Sequence, residues 1–199
     1  MVTVNLKSFA VFASVMVLGA CATTDIKPSA VMNLPPSERF ASFSRFEVKR
    51  IQLAPTYSLD EANREATGII QNHLDVRLNT AVNEWNETGK NAVNSRVLSI
   101  EPRIEQIKYL SVGARLGTGA LSGSSAVIMR VRYVDTATGK VVAEPEFFQR
   151  AAAMGGAWSF GATDKDMLKR IADLVSDYTV KNYSAAVGGP TGAPQELVQ

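Results

Sequence analysis

Val127-Ile-Met-Arg-Val-Arg-Tyr-Val-Asp-Thr-Ala-Thr-Gly-Lys-Val-Val-Ala143 is the stretch that decides the fold. Val127, Met129, Val131 and Tyr133 alternate with Arg130 and Arg132, the period of a strand with one buried face and one wet face. Asp135-Thr-Ala-Thr-Gly139 carries turn chemistry: an Asp carboxylate can bond the loop backbone, and Gly tolerates positive φ. The chain from Val141 to Phe148 then returns antiparallel. Pro145 cannot donate to a ladder, so it marks an exposed sheet edge or the end of regular pairing.

Working outward, residues 97–109 read as a long strand in which Leu98, Ile100 and Ile104 share one parity while Ile107 and Tyr109 take the other. That switch implies a bulge between them. Val48, Ile51 and Leu53 suggest an earlier strand over residues 47–53, stopped at Pro55. Residues 59–88 read as a helix, with Ser58 as N-cap and Glu61 three residues later in the capping-box pattern. Ala66, Ile70, Leu74, Leu78, Ala81 and Trp85 form its apolar stripe, and Gly89 ends it. A second helix starts at Thr163, with Asp164 and Asp166 in its first turn, and buries Leu168, Ile171, Val175 and Tyr178. Strand, helix, strand, hairpin, helix is the order of an α+β fold: a two-layer sandwich of a mostly antiparallel sheet with two helices on one face.

The N-terminus reads as an address. Lys7 precedes the apolar run Phe9-Ala-Val-Phe-Ala-Ser-Val-Met-Val-Leu18, which has the length of a signal h-region and falls short of the ~20 residues of a membrane span. Leu18-Gly19-Ala20-Cys21 then resembles the lipobox cut by lipoprotein signal peptidase. Cys21 is the sole cysteine of the chain, so lipidation explains it better than a disulfide or thiolate metal cage, each of which needs more than one. Residues 1–20 are therefore expected to be a lipoprotein signal peptide, and 21–38, with Pro28 and Pro35-Pro36, the lipidated Cys and a flexible tether. The globular domain is expected over 39–186, and a disordered Gly/Pro-rich tail over 187–199. Ala22 follows the cysteine in place of the Asp that resembles an inner-membrane retention signal of enteric bacteria, so the expected location is the outer membrane, periplasmic face. The formal net charge of +2 over 199 residues gives no electrostatic reason to expect nucleic acid.

Chemistry is sparse. His73 is the sole histidine and falls on the flank of the long helix, without the second His or Cys that a metal site needs. The segment from Ser111 to Ser125 carries Gly113, Gly117, Gly119 and Gly123, but has neither a phosphate-loop ending nor dinucleotide-binding spacing. Gly117 and Gly119 permit close backbone packing against a partner or another copy, against the alternative of a plain crossover. Trp158 and Phe160 stand in the glycine-rich stretch before the last helix, either anchoring a partner or plugging the sheet end.

The Gly-rich run, the Asp135…Thr138-Gly139 hairpin and the closing helix, together with the lipobox, resemble small bacterial lipoproteins grouped as domains of unknown function. That resemblance covers residues 39–184 and implies no active site. In element order the chain is also similar to the periplasmic domains of the curli-secretion lipoprotein and of lipoprotein activators of peptidoglycan synthases. The expectation is a non-enzymatic, membrane-anchored binding or assembly protein without cofactor or metal, whose partners are the membrane and another envelope protein. A homo-oligomeric pore or secretion subunit is the alternative, and a hydrolase of an envelope polymer the second.

Overall fold

The computed structural model describes residues 26–93, 95–111, 123–151 and 162–198. In chain order the strands are β1 (Met32–Asn33), β2 (Arg45–Val48), β3 (Gln52–Leu53), β4 (Val97–Lys108), β5 (Ala126–Asp135), β6 (Val141–Ala143), β7 (Glu146–Arg150) and β8 (Gly189–Pro190). The helices are α1 (Glu61–Gly89) and α2 (Ala162–Ser184). The main sheet sets β2 and β3 beside β4, β4 beside β5, and β5 beside β6 and β7. β5 pairs antiparallel with β4, β6 and β7, as the hairpin reading requires. β2 and β3 lie parallel to β4, because α1 carries the chain back along the sheet before β4 begins. The result is an α+β fold with both helices on one face.

The strand periods place the core. Leu98, Ile100, Ile104, Val127, Met129, Val131 and Tyr133 are buried beneath the helices. The expected bulge lies between Ile104 and Gln106, where the pairing with β5 slips by one residue and returns Ile107 to the core side. From α1 come Ala66, Ile70, Leu74, Leu78 and Val82, and from α2 Leu168, Ile171, Val175 and Tyr178. Val82 takes the fully buried place assigned to Ala81 in the stripe, and Trp85 is only half-buried, stacked at 4.1 Å on Tyr183. Phe40 stacks on Tyr133 at 4.6 Å, and the Tyr133 hydroxyl reaches Thr179 Oγ1 at 2.6 Å, so the buried phenol is partnered.

Several expectations need correction. Asp60, not Ser58, caps α1: its carboxylate accepts from the amides of Ala62 and Asn63 at 2.8 and 3.3 Å. Ser58 is consumed by the Pro55–Tyr57 turn, its hydroxyl donating to the Pro55 carbonyl. The early strand is also broken in two. From Val48 to Gln52 the edge takes four steps while β4 takes three from Ile100 to Arg103, one extra residue between two short strands.

Nor do residues 26–38 behave as a free tether, or residues 187–198 as a free tail. β1 pairs with β8, and Ile26 is buried at 3% exposure. Thr191 donates its amide to Val31 and accepts the Phe148 amide. Ile26, Ala126, Ile128 and Phe148 then form a second apolar cluster with Ala193 and Leu197, on the sheet face away from the helices. The supposedly wet face of β5 is therefore dry over its first residues. Gly192 makes this docking possible: its φ is +85°, and a Cβ there would stand 2.6 Å from the Phe148 carbonyl oxygen.

Candidate functional site

The sheet has two ends. The distal end holds the 135–141 turn, where Gly139 has φ +70° and returns its amide to the Asp135 carbonyl. The basal end holds the last residues of β4, the first of β5, the last of β7 and the starts of both helices. Ile26 lies at this basal end, on Ala126 and Phe148. Cys21, Gly117, Gly119, Trp158 and Phe160 fall outside the described residues. The flanks of the two glycine-rich segments do meet, however: buried Ser125 accepts the Leu110 amide on its hydroxyl at 3.0 Å and the Ala151 amide on its carbonyl at 2.9 Å. The described residues that flank both segments, and Ile26, five residues after Cys21, thus lie at the basal end.

Each edge of the sheet is partly covered by an asparagine amide. On the β2 side, Asn86 of α1 accepts the Phe46 amide at 2.7 Å and donates to the Phe46 carbonyl at 3.1 Å. Asn33 does the same for Glu146 at the other edge, at 2.8 Å each way. Ser37 further donates its amide to the Val142 carbonyl. The edge near Pro145, expected to be exposed, is occupied in this way, and Pro145 itself accepts from the Val131 amide. A bare row of amides and carbonyls would invite another strand; here part of that row is satisfied from within the chain.

A latch ties the entering segment to the distal end. Arg96 forks onto both Glu38 carboxylate oxygens at 2.9 Å, bonds Asp135 at 2.8 Å, and lies over the Phe43 ring at 4.2 Å. Its hydrogen bonds hold both carboxyls below their ordinary values, and the two acids raise the guanidinium in turn. At mid-sheet, Glu146 accepts from the Ser29 amide and hydroxyl and pairs with Arg130 at 2.9 Å.

The charged concavity lies on the face away from the helices, where β2 hands over to β3. It is a cleft of 580 Å³ lined by Lys49, Arg50, Arg103 and Arg132, with Glu101 as its one carboxylate. Glu101 is already engaged by Arg132 at 3.2 Å and by the Ser99 hydroxyl at 3.1 Å, and Lys49 pairs with Glu47 at 2.9 Å. Sequence reasoning missed this cleft because its cations come from three separate stretches and a net charge of +2 averages them away. The outward alternation of Arg130 and Arg132 was the one available signal. His73 is half-buried on α1, and its side chain makes no hydrogen bond or ion pair among the described residues. Among them, too, no group of His, Cys, Asp or Glu side chains converges on a metal-sized space, and no helix is long and apolar enough to cross a membrane.

No family model matches this chain, and no curated protein does. Among solved structures it is similar to PelC from Paraburkholderia phytofirmans, a dodecamer, with 16% identity, a TM-score of 0.38, and 70% of this chain and 92% of that one covered. It is also similar to a Xanthomonas campestris protein of the family DUF330, with 12% identity, a TM-score of 0.41, and 79% and 95% covered. Likenesses of this size carry no function across, so any role must be argued from the residues of this chain.

Proposed function

We propose that this chain is a non-enzymatic lipoprotein of the outer membrane, periplasmic face, anchored through Cys21, with its domain held close to the bilayer to bind another envelope protein. The observation that carries this reading is the burial of Ile26. Cys21 and Ile26 are five Cα steps apart, so at about 3.5 Å per residue the link spans at most roughly 18 Å. An acyl group at Cys21 would therefore keep the basal end at the membrane. Ala22 after the cysteine supports the outer membrane, and the position of His73 on a helix flank supports a binding role over hydrolysis.

Intact mass and N-terminal fragmentation of the protein taken from cell membranes test the anchor. A mature chain beginning at diacylated Cys21, absent in Cys21→Ser, is the expected result. A chain that keeps Met1, or that is cut elsewhere with a free thiol at Cys21, defeats the proposal.

A further inference from the structure

The cleft between β2, β3, β4 and β5 has features that a solvated sheet surface does not need. On such a surface opposite charges face one another across strands, and like charges directly opposite are destabilising. Here Arg103 stands in register with Arg130. Arg130 is drawn to Glu105 at 3.4 Å and Glu146 at 2.9 Å, while neither Arg103 nor Arg50 has a carboxylate partner among the described residues. The second feature is the extra residue between β2 and β3, since a bulge re-aims the side chains beside it. This one is held from within: the Ile51 amide donates to Gln71 Oε1 at 2.7 Å, and buried Gln71 is itself fixed by donating to Asp75 at 2.7 Å. A buried amide of α1 thus sets the backbone on which Arg50 is carried into the cleft wall.

We infer that this cleft is a binding site for a phosphate-bearing ligand, gripped by Arg50 and Arg103 and flanked by Lys49 and Arg132. Guanidinium forks match phosphate oxygens two at a time, and such charge-assisted bonds are roughly twice as strong as neutral ones. A cleft of 580 Å³ holds more than the anion alone, so the phosphate belongs to a larger group, either a lipid headgroup or a soluble phosphomonoester. The inference does not depend on acylation of Cys21, and its test reads the cleft directly.

The test is thermal unfolding of the full chain in neutral detergent micelles at fixed ionic strength. Sodium phosphate, glycerol 3-phosphate and micelles doped with phosphatidic acid are compared with chloride and with phosphatidylcholine. A ligand that binds only the folded chain raises the midpoint. The Arg50→Gln/Arg103→Gln variant should unfold at or slightly above the wild-type midpoint in chloride, since Arg103 no longer faces Arg130, and need about a hundredfold more phosphate ligand for the same rise, the loss of one charge-assisted bond from each arginine. Arg45→Gln, which removes one cation from the same face outside the cleft, should respond as wild type. A rise with glycerol 3-phosphate assigns a soluble ligand, and a rise with phosphatidic acid alone assigns a headgroup. No rise in any arm, or an equal rise in the double variant, overturns the inference.

Discussion

Two glycines of α1 show how single positions are constrained by space. Gly68 has nothing within 4 Å of where a Cβ would stand, whereas a Cβ at Gly89 would collide with the backbone of Ser44. Gly68→Ala should stabilise the fold by about 1 kcal/mol through helix propensity. Gly89→Ala, at the last residue of the helix, gains less propensity and must push the Ser44 backbone away, with a net loss of about 1–3 kcal/mol. Chemical denaturation of the two variants checks the opposite signs. The sequence marks both as glycine, and reads Gly89 correctly as a helix end, but the approach of Ser44 is a tertiary fact no local pattern contains. Arg96 is similar. Asp135 was legible as a turn residue, yet its ion pair joins residues 39 apart in the chain. Because Arg96 holds the Glu38 and Asp135 carboxyls low, the folded state favours their ionised forms. That stabilisation is full above the ordinary carboxylate range of about pH 4 and is lost as pH falls through the folded values. Arg96→Met should therefore lower the unfolding midpoint at pH 7 and flatten its fall between about pH 5 and pH 3. An acid limb as steep as that of wild type would count against the latch.

Among the elements, the alternation of β5, the parity switch in β4 and the stripes of both helices were readable, because each is set by a period within one segment. The parallel placement of β2 and the docking of both chain ends were not. Prolines at 28, 35 and 36 and glycines at 188, 189 and 192 look like linker composition, and they become structure only through distant partners such as Glu146, Thr191 and Phe148. The partly covered sheet edges have the same origin, since nothing local distinguishes Asn33 or Asn86 from any surface asparagine. Asn86→Ala should leave the Phe46 amide and carbonyl without partners, at about 1–3 kcal/mol. Hydrogen exchange at the Phe46 amide should quicken far more than at Leu98 on the neighbouring strand. Equal change at both sites would mean that Asn86 serves overall stability rather than the edge.

At the scale of the whole molecule, topology sorts the features that sequence could only mark. Cys21, the glycine-rich segment around Gly117 and Gly119, and the stretch with Trp158 and Phe160 are far apart in the chain, yet the described residues bordering them share the basal end. The phosphate cleft opens higher up the outward sheet face, with Arg103 five residues of β4, about 17 Å, above Lys108. Anchored at Cys21, the domain is expected to stand with its basal end on the bilayer and its distal turn away from it. Leu59, 88% exposed before α1, marks the basal end, and Val93, fully exposed beyond the other end of that helix, marks the distal one. The 29 residues of α1 separate them by about 43 Å. With Cys21 acylated, nitroxides placed singly by Leu59→Cys or Val93→Cys label cleanly. The deciding measurement is their relaxation in proteoliposomes carrying a nickel-chelating lipid headgroup. Strong relaxation at residue 59 and little at residue 93 is expected; equal relaxation at both, or the reverse order, would rule out a basal end on the bilayer.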